Sequence, residues 1–276
     1  MSVWSPSVLL LQDGFVCLSR AASLAGRGGV VVADEDLPAL DELTGSRQRS
    51  HNVLSGLERS GRIRRVRRGA YVLIEPTGGV RVGILDLIAA LTPGPYLVTG
   101  GRALQFHELS DQHFRRVQVL VPRQLRSWSW RGDQVRYVLT GSPLRAGATR
   151  SRRTPARIAT PERAITDSLS HPAWGVTLAQ VVEALDAAIA RSPDFPDRLA
   201  GEVARLGGSA SARRLGLLVS HLADPEAARG FLPLRGTSQA STPLQAGPQA
   251  EGPIDSTWGV RVNVDLERLL QHREIG

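Results

Sequence analysis

The chain of 276 residues contains no lysine, and all 34 of its basic side chains are arginines. That absence removes the Schiff-base lysine, the phosphate-loop lysine and the lysine of the common acid–lysine nuclease motif, and it weakens the enzyme classes built on them. A single cysteine, Cys17, cannot form an internal disulfide and fits a reducing compartment. No apolar run approaches a membrane span, and VLLLQ near the start is too short for a signal segment and lacks a basic flank. These features predict a cytoplasmic protein with no membrane partner. Hydrophobic content of 42% and charged content of 22% are ordinary for a globular protein, and the length suits two domains better than one.

Acids are also missing from one place. Between Ser46 and Arg68 there are eight arginines against one acid, Glu58, a net +7 in a chain whose total is +8. A pI near 11.0 points to an acidic partner, most simply nucleic acid. Around this window the pattern reads as a helix over 14–28, a short strand at VVV, and a helix capped by Asp34 or Asp36 and stopped by Gly45. A helix follows from about Arg47 to Ser60 with Gly61 as its stop, then a hairpin of RIRRV and AYVLI.

Three helices and a two-stranded hairpin describe a winged helix-turn-helix. On the third helix Val53, Leu54 and Leu57 form an apolar face. Arg47, His51, Ser55 and Arg59 line another face, with Gln48 and Asn52 beside them. These side chains offer the donors and acceptors that read base edges in a major groove. Arg47, Gln48, His51, Asn52 and Ser55 are the candidate base contacts. Arg49, Arg59, Arg64, Arg65, Arg67 and Arg68 are the candidate phosphate or minor-groove contacts, with Arg67 and Arg68 at the hairpin tip. A solvated basic surface is the plain alternative, but an unopposed +7 costs self-repulsion unless a partner offsets it. Duplex DNA is favoured over RNA because a helix fits the B-form major groove and not the A-form one.

The expected fold class is α+β: a winged helix-turn-helix over 1–76, then a mixed α/β domain over 81–276 with a flexible segment at 236–253. In the second part YLVT and RRVQVLVP read as strands, and SWSWRGDQVRYVLT as a hairpin turning at Gly132 and Asp133. PERAITDSL, LAQVVEALDAAIA, FPDRLAGEVARLG and SARRLGLLVSHL read as helices. HELSDQH, from His107 to His113, has no standard metal spacing and reads as a loop. TGGRAL has the Gly-Gly turn of a nucleotidyltransferase, but the next strand carries no acid to hold magnesium and Asp111 stands alone. In ATPERAITDSL, Thr160 caps a helix, Pro161 opens it, and Glu162, Arg163 and Asp167 are set to pair on its surface. RAGATRSRRTPAR has five arginines and no acid, which suits an extension of the DNA footprint, a face for an acidic protein partner, or a flexible solvated loop. Arg150, Arg152 and Arg153 of that stretch, with Glu162 and Arg163, are the candidate partner-binding residues. No cofactor, metal site or catalytic residue is expected.

The segments SGRIRRVRRGAYVL, YLVTGGRALQFHELSDQ, IATPERAITDSL, SARRLGLLV and TWGVRVNVDLERLL, in that order, resemble the AbiEi-type antitoxins of type IV toxin–antitoxin systems. The resemblance implies a non-enzymatic autorepressor whose winged helix binds inverted repeats in double-stranded DNA upstream of its own operon. It also implies a second domain that counteracts a cognate nucleotidyltransferase toxin. Arg64, Arg67, Arg68, Gly69 and Tyr71 carry over as wing residues. A stand-alone winged-helix regulator without a toxin partner is the alternative.

Overall fold

The computed structural model describes residues 6–24, 27, 29–75, 77–80, 82–141, 144, 147–246 and 251–271. It is a mixed α+β protein divided into two compact units, 1–94 with 128–132 and 150–156, and 95–127 with 133–149 and 157–276.

The first unit opens with α1 (Pro6–Leu24), β1 (Val30–Val32), α2 (Ala33–Thr44) and α3 (Arg47–Arg59). The hairpin β2 (Ile63–Arg67) and β3 (Ala70–Leu73) and then α4 (Ile84–Leu91) follow. Helix α1 starts earlier than the expected 14–28 because the spacing Leu11, Phe15, Leu18, Ala22 runs one apolar stripe along it into the core. The Asp36 carboxylate accepts the Val32 amide at 2.7 Å and pairs with Arg27, which closes the start of α2. Gly45, at φ 79°, ends α2 in the left-handed conformation that a side chain would disfavour. The three strands are antiparallel in the order β1-β3-β2. Leu37, Leu40, Val53, Leu54, Leu57, Ile63 and Tyr71 close the core among the helices and this sheet. Each large aliphatic side chain so buried stabilises the unit by about 1.5–3 kcal/mol.

The first unit runs on to Gly94, past residue 76 where the first domain was expected to end. Helix α4 belongs with the first unit: it packs on β1, and Val82 just before it lies against Gly29.

After Gly94 come the strands β4 (Leu97–Thr99), β5 (Arg116–Val121), β6 (Trp128–Trp130), β7 (Asp133–Leu139), β8 (Ala148–Ser151) and β9 (Thr154–Ala159), with α5 (Gly101–Phe106) after β4; β6 and the facing ends of β8 and β9 are counted with the first unit. Their sheet order is β6-β7-β5-β4-β9-β8, with β4 antiparallel to β5 and parallel to β9, and β5 parallel to β7. The β6–β7 hairpin turns at Arg131 and Gly132, both at positive φ, one residue before the expected turn. The basic stretch 145–157, which suited a flexible loop among other readings, carries the β8–β9 hairpin.

Helix α6 (Pro161–Ser170) then leads through a tight 3-10 turn at Pro172–Trp174 to α7 (Leu178–Arg191), α8 (Phe195–Leu206) and α9 (Ser209–Leu222). A second 3-10 turn at Arg229–Leu234 precedes β10 (Thr242–Pro243), β11 (Ile254–Asp255), β12 (Val260–Arg261) and α10 (Leu266–Leu270). The segment 236–253 is not the expected flexible stretch where it is described. The buried Arg213 guanidinium donates to the carbonyls of Arg235 (2.8 Å), Ala240 (2.7 Å) and Ser238 (2.5 Å), and β10 pairs with β12. Residues 247–250 lie outside the described residues. No helix among the described residues is long and apolar enough to cross a membrane.

Candidate nucleic-acid interface

Helix α3 is held from one side only. Ser46 caps it, accepting the Arg49 amide at 3.3 Å, and the buried Ser50 hydroxyl meets Thr44 Oγ1 at 2.8 Å. Val53, Leu54 and Leu57 are buried against the preceding helices, as their spacing predicts. Two glycines set how closely α1 and α3 approach. A Cβ on Gly14 would lie 2.6 Å from Val53 Cγ1, and one on Gly56 would lie 2.6 Å from Leu11 Cδ2.

On the other side Arg47, Gln48, Arg49, His51, Asn52, Ser55 and Arg59 are all exposed. Several are already oriented. Gln48 Nε2 donates to Asn52 Oδ1 at 3.3 Å, Arg47 pairs with Asp41 at 3.1 Å, and Arg49 Nη1 donates to the Thr44 carbonyl at 3.3 Å. Arg59 Nε donates to the Ser55 carbonyl at 3.3 Å. Asp41 is held below the usual carboxylate range, first by the Ser50 hydroxyl and then by Arg47. The row therefore combines fixed amides with guanidinium groups that keep unused donors.

The hairpin follows directly, because Gly61 takes φ 71° and Arg62 N donates to the Leu57 carbonyl at 2.9 Å. Arg64, Arg65 and Arg68 are exposed, and the Arg65 guanidinium lies 5.9 Å from the centre of the Tyr71 ring. Arg67 departs from expectation. The register shifts between Arg65 and Arg67, and Arg67 is half-buried with Nη2 donating to the Leu91 carbonyl at 2.9 Å. It ties the hairpin to α4, and Arg68 alone of the pair stands exposed at the tip. Arg62, absent from the expected contacts, is exposed with its guanidinium 5.4 Å from the Phe15 ring centre. Its membership of the same arginine window was the available signal.

The expected partner surface divides. Arg152 and Arg153 are exposed at the β8–β9 turn, while the Arg150 side chain lies outside the described residues. Glu162 and Arg163 do not form a surface pair: they are 9% and 2% exposed, and Asp167 is 5% exposed. Arg163 Nε donates to Asp167 Oδ2 at 2.8 Å, and Thr99 Oγ1 donates to the same oxygen at 2.8 Å. Arg163 Nη1 lies 3.9 Å from Glu202 Oε1, Glu202 is fully buried and pairs outward with Arg205, and Glu162 pairs with Arg198 at 2.8 Å. Burial pushes the Asp167 carboxyl up against the opposing pull of Arg163. These side chains are buried because α6 is covered by α5, α7, α8, α9 and β4.

The glycine turn after β4 and the histidine segment that follows have structural roles. The Gly100–Gly101 turn is closed by the Phe114 ring, 2.3 Å from where a Gly101 Cβ would sit. His107 Nε2 pairs with the Ala159 carbonyl at 2.7 Å, whereas His113 lies 3.4 Å from Asp133, so the two histidines have separate partners. Asp111 is exposed.

No family model matches this chain, and no curated protein matches it. Among solved structures, the RV2827C protein from Mycobacterium tuberculosis shares the fold with a TM-score of 0.67 at 16% sequence identity. The alignment covers 96% of this chain and 94% of that one.

Proposed function

We propose that the protein is a DNA-binding regulator whose first unit is a winged helix-turn-helix, with α3 as the reading helix and the β2–β3 hairpin as the wing. The observation that carries this reading is the exposed row Arg47, Gln48, His51, Asn52, Ser55 and Arg59 on a helix locked by its opposite face. The order helix–strand–helix–helix–hairpin, with strands arranged β1-β3-β2, supports it, as does the arginine-rich window around α3. Arg64, Arg65 and Arg68 would meet phosphates or the minor groove. Arg67 would position the wing.

In its finer form the proposal follows the resemblance to AbiEi-type antitoxins. The first unit represses the protein's own operon at inverted repeats, the second counteracts a cognate nucleotidyltransferase toxin, and the protein acts by binding and not by catalysis. Fluorescence anisotropy of the purified protein with its own upstream DNA and with a scrambled duplex, over a salt series, tests the first part. Sequence-selective binding with a steep salt dependence is expected. Equal affinity for both duplexes would reduce α3 to a general basic surface. Growth rescue on co-expression with an adjacent nucleotidyltransferase gene tests the second part, and failure of rescue leaves a stand-alone regulator.

A further inference from the structure

A polar recess of about 370 Å³ lies in the second unit between the segment after the second 3-10 turn and the turn that joins β11 to β12. Its charged lining groups among the described residues are two guanidiniums, Arg213 from α9 and Arg235 just after the 3-10 turn. Thr237, Ser238, Ser256 and Thr257 also line it. Asp255, the acid that precedes the β11–β12 turn, accepts the Trp258 amide at 2.8 Å and does not line the recess.

The two arginines have no acid beside them. Buried Arg163 bonds to the Asp167 carboxylate, but Arg213, 6% exposed, bonds only to the neutral carbonyls of Arg235, Ser238 and Ala240. A guanidinium has five N–H groups, so two on Arg213 remain unused. Arg235 Nη1 donates to the Thr257 carbonyl and keeps its other donors. Gly259 lines the recess as well, at φ 63°, and a Cβ on it would lie 3.2 Å from Arg213 Nη1. The missing side chain leaves that end of the guanidinium uncovered. The backbone adds donors: the amides of Gly236, Ser238, Ser256 and Thr257 bond to no acceptor among the described residues. Ser238 Oγ accepts the Ala240 amide at 3.2 Å.

A buried cation without a counter-charge is costly. Two cations among amide and hydroxyl donors repel a metal ion, and they offer an apolar ligand nothing in exchange for the water it displaces. They match an oxyanion, whose oxygens accept several charge-assisted bonds at once. A phosphate monoester carries about two negative charges near neutral pH, one for each guanidinium, whereas a diester carries one. A phosphate group fills only part of a recess of this size, and the remainder suits a small organic substituent. We propose that this recess binds the phosphate group of a small phosphate monoester, held by Arg213, Arg235 and the amides of the two loops. The site lies within the second unit and is independent of the DNA-binding reading.

The test titrates full-length nitrogen-15-labelled protein with phenyl phosphate and with its methyl ester, which differ by one methyl group and one charge. The titrations are run at about pH 7.5 and roughly 0.15 M salt, so that the monoester is dianionic and exposed arginines are screened. Saturable shifts of the Gly236 and Gly259 amides are expected for phenyl phosphate, with Kd below about 1 mM. The methyl ester should bind about tenfold more weakly. Arg235→Gln should weaken phenyl phosphate about tenfold, while Arg68→Ala on the hairpin of the first unit should leave its affinity unchanged. Absence of saturable shifts at Gly236 and Gly259 overturns the proposal, as does equal affinity for the two probes. Unchanged affinity in Arg235→Gln, or an equal loss in Arg68→Ala, overturns it too. Should Arg235→Gln fail to fold, the place of the wild-type shifts and the preference for the monoester decide.

Discussion

Arginines and acids at helical spacing mark both α3 and α6, yet α3 buries only Ser50, Val53, Leu54 and Leu57 while α6 buries every residue from Glu162 to Leu169. The difference lies in what covers each helix. Helix α3 packs on α1, α2 and β2 and leaves one side to solvent, whereas α6 has neighbours all round. On α3 the charges are solvated, so they are available to a partner at little expense to stability. On α6 each charge has left water and needs a fixed counter-charge, which ties α6, α8 and the end of β4 to one geometry.

The sharpest break of this comparison is Arg163→Ala, which takes from buried Asp167 its guanidinium partner and leaves Glu202 with Arg205. A loss of about 3–5 kcal/mol is expected in urea unfolding, while Arg59→Ala on α3 stays within about 0.5 kcal/mol. Similar losses for the two would end the distinction. Next is Gly14→Ala. The added methyl meets the stiff, β-branched Val53, so a cost of about 1–3 kcal/mol is expected in thermal unfolding. If α3 is the reading helix, its displacement lowers DNA affinity as well.

The hairpin arginines sharpen the comparison within the first unit. Arg67→Ala removes the bond to Leu91 and should lower stability by about 1 kcal/mol. Arg68→Ala should leave stability unchanged and reduce the slope of log affinity against log salt by about 1. The smallest effect concerns Asp194, exposed on the second unit and held below the usual carboxylate range by Arg198 and then Ser192. A depressed carboxyl adds stability above its unfolded pKa of about 3.9, and that stability is lost as pH falls through the folded value. Asp194→Asn should therefore flatten the stability profile below about pH 4 and leave neutral pH nearly untouched.

Much of the first unit was legible because its signals are local. The apolar triplet on α3, the glycine after it and the β-rich runs around Gly69 each act within a few residues. Arg67 was not legible, since its partner is a backbone carbonyl on α4 and one shifted register decides which arginine reaches it. Glu162, Arg163 and Asp167 showed their pairing in the sequence but not their burial, which depends on helices supplied much later in the chain. The β8–β9 hairpin lacked apolar alternation because β8 is an edge strand, where backbone pairing suffices. The segment after Gly236 looked unstructured because its order comes from Arg213, a side chain on α9 that bonds to its carbonyls.

The bond from Thr99 to Asp167 joins residues 68 apart in sequence, and Arg163 then waits for Glu202 on α8. The helices and hairpin of the first unit close over shorter loops, the Val30–Val72 pairing among the longest. Loop closure of this kind sets the order in which parts of a chain become structured, and domains fold from the N-terminus as they are synthesised. During translation, then, α3 and its hairpin are complete while α6 still carries unpaired charge. The arginines on the solvent side of α3 are then set in place before the rest of the protein has finished folding.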